Sequence, residues 1–362
     1  MEGEINNYMK AWFQAIISLC YCYAIGKIVP KGVPRLLAII PIMCLFLVLP
    51  LSLNTIHLCG TFAFFISWLA NFKLALFAFE KGPLSDPSLS LKNFVVVASF
   101  PMKINNQMIP TDSENPPLNA MNNGHKSLLN YTIKAVAFIG VIKAYDYKDY
   151  NMHNMHNMKL YTLYSLHLYL ILEIILAMVK VLARTLLGVE LEPHFDEPYL
   201  ASSLQDFWSR RWNLVVVNTL RLSIYEPTKK FALPIIGRKW ASLPAIFLTF
   251  FVSGLIHELL FYYLGRLSPT WEITWFFLLH GFCLPLEVFL KKKLADKFPL
   301  PRVVSGPLTL GFIMVTALWL FFPQLLRCNG EQRAFEEYAE VGIFLKNITR
   351  ALMLWFNAKK LY

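Results

Sequence analysis

Ala241-Ser-Leu-Pro-Ala-Ile-Phe-Leu-Thr-Phe-Phe-Val-Ser-Gly-Leu-Ile-His-Glu-Leu-Leu-Phe-Tyr-Tyr-Leu264 is an apolar run of bilayer-crossing length, interrupted only by the charge-bearing pair His257 and Glu258. The hydrocarbon core needs about 20 helical residues to cross it. It offers no water to unpaired backbone groups, so a spanning run must be helical. Comparable runs recur at Ala11–Val29, Leu36–Leu53, Ile56–Phe79, Leu128–Ala144, Leu160–Leu187, Trp271–Leu290 and Val303–Phe322. Lys134 and Lys143 interrupt the one at Leu128–Ala144. Together these runs predict an all-α, polytopic transmembrane bundle of about eight spans, forming a single membrane-embedded domain over residues 1–362. Pro41, Pro244, Pro285 and Pro307 fall within spans, where neighbouring helices can absorb a kink.

Composition agrees. Of 362 residues, 56% are hydrophobic and only 16% charged, where a soluble domain carries about a quarter. The net charge of +11 does not point to nucleic acid, because Lys and Arg collect at the ends of apolar runs, as the positive-inside rule requires. The loops at 30–35, 80–127, 188–240 and 291–302 hold most of them, including Lys229, Lys230 and Lys291–Lys293, and are expected to be cytosolic. Opposite them stand Lys148, Lys159 and Arg266. Eight spans would place both termini in the lumen, yet Lys359 and Lys360 resemble a dilysine retrieval signal of the endoplasmic reticulum, which works in the cytosol. A further span near Phe344–Phe356 would reconcile the two. Glycosylation at the Asn347-Ile-Thr sequon would instead place the tail in the lumen. Glu2 and Glu4 precede the first apolar stretch without a following cleavage site, so that stretch is expected to be a retained helix.

The 80–127 loop, rich in Asn and Pro over Met102–Lys126, is expected to be flexible. The Asn-Met-His repeat at Asn151–Met158 reads as a polar insertion; His153 and His156 are not taken as metal ligands. Cys20, Cys22, Cys44, Cys59, Cys283 and Cys328 lie mostly in apolar runs and read as small hydrophobes. No metal and no cofactor are expected.

Ionisable groups inside spans are costly and mark function by default. Lys73, Glu173 and Glu287 lie near span ends, where snorkelling or packing accounts for them. His257 lies deep, and burial disfavours its charged form, so an uncharged imidazole able to accept a proton is expected. Ser253, one turn earlier on the same face, could orient the ring. Glu258 projects about 100° away, towards a neighbouring helix. A second constellation lies in the 188–240 loop: Ser203-Leu-Gln-Asp-Phe-Trp-Ser-Arg-Arg-Trp-Asn213. Leu204, Phe207, Trp208 and Trp212 would form the apolar side of a surface helix, Arg210 and Arg211 could meet phosphates, and Asp206 and Asn213 exceed what an interfacial anchor needs.

The two motifs together resemble the plant wax synthase branch of the membrane-bound O-acyltransferases. Trp68-Leu-Ala-Asn-Phe-Lys-Leu74, Gly82-Pro-Leu-Ser85 and Glu197-Pro-Tyr-Leu200 extend the resemblance along nearly the whole chain. It implies transfer of a fatty acyl group from acyl-CoA, a co-substrate, to a lipid alcohol, with His257 as general base and Asn213 positioning the thioester or stabilising charge on its carbonyl oxygen. Asp206, Trp208, Arg210, Arg211, Trp212, Ser253 and Glu258 would line the substrate path, and His280 could bind the alcohol. Ser209, His194 and Asp196 stand where the family usually has Gly, Gln and Asn, which bears on substrate choice. Fatty alcohol, sterol and diacylglycerol are the competing acceptors. A transporter, with His257 and Glu258 as a proton relay, is the alternative from another class; no internal repeat supports it.

Overall fold

The structure, a computed structural model, describes residues 2–100, 130–145, 157–187, 194–294 and 301–359, and the described residues form helices without a strand. Among the described residues, seven stretches are long and apolar enough to cross a membrane: Gly3–Ile28, Val33–Ser52, Ile56–Ala78, Thr162–Val181, Ser242–Gly265, Glu272–Lys293 and Arg302–Arg327. We label the helices α1 (Glu2–Ile28), α2 (Val33–Val48), α3 (Ile56–Ala78), α4 (Leu91–Ser99), α5 (130–145), α6 (Asn157–Leu187), α7 (Leu214–Leu220), α8 (Glu226–Trp240), α9 (Ser242–Gly265), α10 (Glu272–Leu294), α11 (Arg302–Leu320) and α12 (Gly330–Lys359).

The expected run at Leu128–Ala144 is helical over its described residues 130–145, as α5, and is not among the seven. Its Lys134 is not stranded in lipid: Nζ lies 2.7 Å from Oε1 of Glu173 on α6. Each charge supplies the partner that membrane burial demands. The Phe344–Phe356 stretch lies within α12, a long helix that is not among the seven. Part of the expected loop at 80–127 is ordered: a turn at Pro83–Ser85 leads into α4, and Phe94 is buried against Tyr23 and Phe77 at 5.4 and 5.1 Å between ring centroids. An aromatic anchor on an amphipathic nine-residue helix outweighs the loop-like composition around it. Residues 101–127 and the His153–His156 repeat lie outside the described residues.

The chain divides into two compact units. Unit 1 comprises residues 1–99, 219–285 and 319–362; unit 2 comprises 100–218 and 286–318. In unit 1, α3 is the central helix, with 78% of its apolar window buried. The α1–α2 turn needs Gly32, whose φ of 101° is costly for any other residue, and whose N–H donates to Ala78 O at 2.7 Å. Lys31 pairs with Glu80 there, and Arg35 covers the Phe77 ring at 5.1 Å. This is the basic end. At the opposite end Glu4 accepts from the N–H groups of Asn54 and Thr55, and Glu337 of α12 from those of Ile56 and His57. These carboxylates satisfy the orphan donors that open α3.

Two backbone irregularities are already local. Pro50 cannot donate to Phe46 O one turn earlier, and Ser67 Oγ takes that carbonyl instead, at 2.5 Å. Within α3, Ala63–Ala70 is π-helical, a distortion frequent at functional sites.

Candidate active site

His257 sits well inside α9, in unit 1. Its Nδ1 is 2.7 Å from the backbone carbonyl oxygen of Ser253. A carbonyl can only accept, so the proton resides on Nδ1 and Nε2 carries the lone pair. Nε2 makes no hydrogen bond among the described residues, and the residue is part-exposed. The expectation that Ser253 orients the ring is met through its main chain; the Ser253 side chain is buried beside it.

Three aromatic rings wall the imidazole: Phe277 of α10 at 4.5 Å between centroids, Trp68 of α3 at 5.7 Å and Phe321 at 6.1 Å. They hold the ring in place without competing for its nitrogen. Glu258 projects to α10, as its 100° offset implies, and Oε1 accepts from Thr274 N and Oγ1 at 3.2 and 3.4 Å. Thr274 lies in the first turn of α10, so Glu258 fills an orphan donor at that helix start. Gly254 lets the two helices meet: a Cβ there would stand 2.9 Å from Thr274 Cα.

The second constellation lies in unit 2 and is over-determined. Leu204 N and Gln205 N donate to Oε1 and Oε2 of Glu287 at 3.1 and 3.2 Å, and Ser203 Oγ caps Asp206 N at 2.9 Å. Asp206 then accepts Arg211 Nε at 2.8 Å and Ser202 N at 3.2 Å. Arg211 Nη1 donates to the carbonyls of Asp196 and Glu197. Burial alone would raise the Asp206 carboxyl pKa, but the Arg211 and Ser202 donors outweigh it and hold the group below its ordinary value. Arg211 is therefore tied into the loop, whereas Arg210 is exposed at its edge.

The expected surface helix over this motif is a single turn, Leu204–Asp206, continued as a π-turn over Phe207–Arg211 and closed by Trp212 N to Phe207 O at 2.9 Å. Its aromatic side does not lie bare at an interface. Trp212 stacks on Phe207 at 5.3 Å and meets Phe195 at 5.1 Å, and Tyr169 of α6 closes on both Phe195 and Trp212. Trp208 stands edge-on to Phe207 at 5.0 Å.

Asn213 follows at φ 41°, a left-handed conformation that Asn tolerates better than most residues. Backbone pairs bracket it: Asp196 N to Arg211 O at 3.0 Å and Leu214 N to His194 O at 2.8 Å. His194 and Asp196, two of the unusual positions, thus hold the irregular stretch that frames Asn213. Oδ1 of Asn213 accepts Val216 N at 3.4 Å, capping α7, and this leaves the amide N–H₂ as a donor.

Residues 191–279, which contain both Asn213 and His257, match the Membrane bound O-acyl transferase family. Among curated relatives, "Acyl-CoA--sterol O-acyltransferase 1" of Arabidopsis thaliana is 44% identical over 96% of this chain and 98% of its own. "Long-chain-alcohol O-fatty-acyltransferase" of Simmondsia chinensis is 40% identical over 98% and 99%. "Probable long-chain-alcohol O-fatty-acyltransferase 2" of Arabidopsis thaliana is 43% identical over 93% and 95%.

The chain belongs to the membrane bound O-acyl transferase family. It is a multi-pass membrane enzyme that transfers acyl groups.

In this acyltransferase His280 is fully buried, its Nδ1 2.9 Å from Phe276 O and its ring 4.3 Å from that of Phe276. It is part of the packing of α10. Sequence reading gave no role to Phe277, Phe321 or Glu287. Phe277 and Phe321 are two among 29 phenylalanines, and only packing singles them out. Trp68 carried a signal, because its stretch belongs to the family resemblance.

Proposed function

We propose that the enzyme esterifies a long-chain fatty alcohol with the acyl group of acyl-CoA, giving a wax ester by direct transfer. The observation that carries this reading is the His257 tautomer: Nδ1–H is bound to Ser253 O, and the Nε2 lone pair has no hydrogen-bond partner among the described residues. His257 Nε2 takes the hydroxyl proton as the alcohol oxygen attacks the thioester carbonyl carbon. The C–O bond forms and the carbonyl oxygen becomes an oxyanion; stabilising that charge is the role the family resemblance implies for Asn213. The C–S bond then breaks as the carbonyl re-forms, and the CoA thiolate takes the proton from the imidazolium. General-base assistance of this kind contributes about 10²–10⁴ in rate, and one oxyanion donor about 10²–10³. Arg210 and nearby lysines would attract the CoA phosphates.

Support for the fatty alcohol comes from relatives carrying that name over nearly their whole length. A sterol acceptor is the second reading, favoured by the 44% identical sterol acyltransferase. Its expected location is the endoplasmic reticulum membrane. The test is an assay of purified enzyme with labelled acyl-CoA and a panel of fatty alcohols, sterols and diacylglycerol, beside His257→Ala and Asn213→Ala. Wax ester formation abolished by His257→Ala is the expected result. Full activity in that variant would refute the mechanism, and activity on sterols alone would move the acceptor to the second reading.

A further inference from the structure

Beside the His257 wall, still in unit 1, lies a cavity of about 140 Å³. Leu47 of α2, Ala63, Ser67, Trp68, Asn71 and Phe72 of α3 and Ile256, Leu259, Leu260 and Tyr263 of α9 form its lining. The surface is almost wholly apolar, so the fate of its four polar side chains decides what it can hold. Ser67 Oγ is used by Phe46 O, and Tyr263 OH donates to Leu47 O at 2.6 Å. Asn71 Nδ2 donates to Met43 O and Ser67 O at 3.2 and 3.0 Å, which fixes the amide with Oδ1 on the other side.

Two groups remain. Trp68 Nε1–H and Asn71 Oδ1 are buried and without a hydrogen-bond partner among the described residues. Trp68 is 4% exposed and Asn71 6%. A buried donor or acceptor left unpaired is costly, and native structures rarely keep one without a ligand or water. Here one donor and one acceptor stand a helical turn apart, Trp68 on the π-distorted stretch of α3 and Asn71 just after it.

We propose that this cavity is the subsite for the hydroxyl end of the acceptor alcohol. A hydroxyl supplies the complement of both groups: its oxygen accepts from the Trp68 indole, and its O–H donates to Asn71 Oδ1. The volume matches that of cavities that hold one benzene-sized group. It therefore takes the hydroxyl and the first several carbons, and the remainder of the chain lies outside. Trp68 belongs at once to the cavity lining and to the His257 wall. Rotation of the O–H from Asn71 towards His257 Nε2 would convert the held alcohol into the nucleophile. The inference rests on the acyl-transfer reading of His257 and adds a recognition site for one of its two substrates.

The experiment is initial-rate kinetics of purified enzyme with fatty alcohol as varied substrate at saturating labelled acyl-CoA, and the converse. Trp68→Phe keeps the ring and removes the donor; Ala63→Leu fills the cavity. Both should raise KM for the alcohol by about 3- to 10-fold, the range set by one hydrogen bond, and leave KM for acyl-CoA unchanged. Melting temperature with and without alcohol is the second measurement: wild type should be stabilised by alcohol, and Ala63→Leu much less so. Unchanged alcohol KM in both variants, with undiminished stabilisation by alcohol, would mean that the cavity holds structural water, and would overturn the subsite. His257→Ala separates the two levels. If that variant is inactive while Trp68→Phe and Ala63→Leu behave as wild type, only the subsite fails; if it is active, the general-base reading fails.

Discussion

Gly254→Ala places one methyl group where α9 and α10 cross. The added Cβ would lie 2.9 Å from Thr274 Cα, 3.3 Å from Thr274 Cγ2 and 3.4 Å from Thr274 Cβ. The first of these is backbone, so no side-chain rotation relieves it. Restoring ordinary van der Waals contact of about 3.5–4.0 Å moves the start of α10 outward by about 0.5–1 Å. That start carries both Thr274, held by Glu258, and Phe277, whose ring packs against His257. Overpacking of this kind costs about 1–3 kcal/mol, which lowers the melting temperature by several degrees. A shift near 1 Å in the support of the proposed general base can cost about 10²-fold in rate. The expected result is thus a folded enzyme with kcat reduced 10- to 100-fold and KM for acyl-CoA little changed. The assay is labelled-ester formation by purified protein, beside thermal unfolding followed by tryptophan fluorescence. Wild-type kcat and an unaltered melting temperature would refute the inferred close crossing and, with it, the claim that α10 holds His257 in position.

Asn213→Gly should keep the left-handed backbone and lose the side chain, so kcat falls about 10²–10³-fold with little loss of stability, whereas Asn213→Ala also pays about 1 kcal/mol of backbone strain; the two melting curves and two rates separate these effects. Glu258→Ala leaves Thr274 N unpaired and should destabilise by about 1–3 kcal/mol, while Glu258→Gln retains an acceptor and most of the stability, as thermal unfolding would record. Asp206 has its carboxyl pKa held below the ordinary 3.8, so the native loop binds fewer protons there than the unfolded chain. Its stabilising contribution is present above about pH 4 and is lost as pH falls through the lower native value; the stability gap between wild type and Asp206→Asn should therefore close on acidification from pH 6 to pH 3.

The membrane-spanning helices could be read from the sequence because the bilayer imposes a rule that is local: a backbone without water must satisfy itself within the segment. The same locality made His257 legible, since a lone imidazole in a 24-residue apolar helix is conspicuous without any knowledge of its neighbours. The Ser203–Asn213 motif was equally visible, although its shape was not. A surface helix was expected from its aromatic spacing, and a single turn with a π-continuation formed instead. Carboxylates and carbonyls distant in sequence, from Glu287 and from Asp196 and Glu197, set that geometry.

Length and hydropathy by themselves determined an all-helical membrane chain, and motif chemistry singled out His257 and Asn213. Only tertiary structure decided that Lys134 finds Glu173, that Glu258 serves α10 and that Arg211 braces a loop. It alone exposed the unpaired Trp68 N–H and Asn71 carbonyl beside a cavity. The division follows from range. Hydrophobic burial and backbone satisfaction act residue by residue along one helix, whereas partnership of polar groups depends on which helices the fold brings within 3 Å of one another.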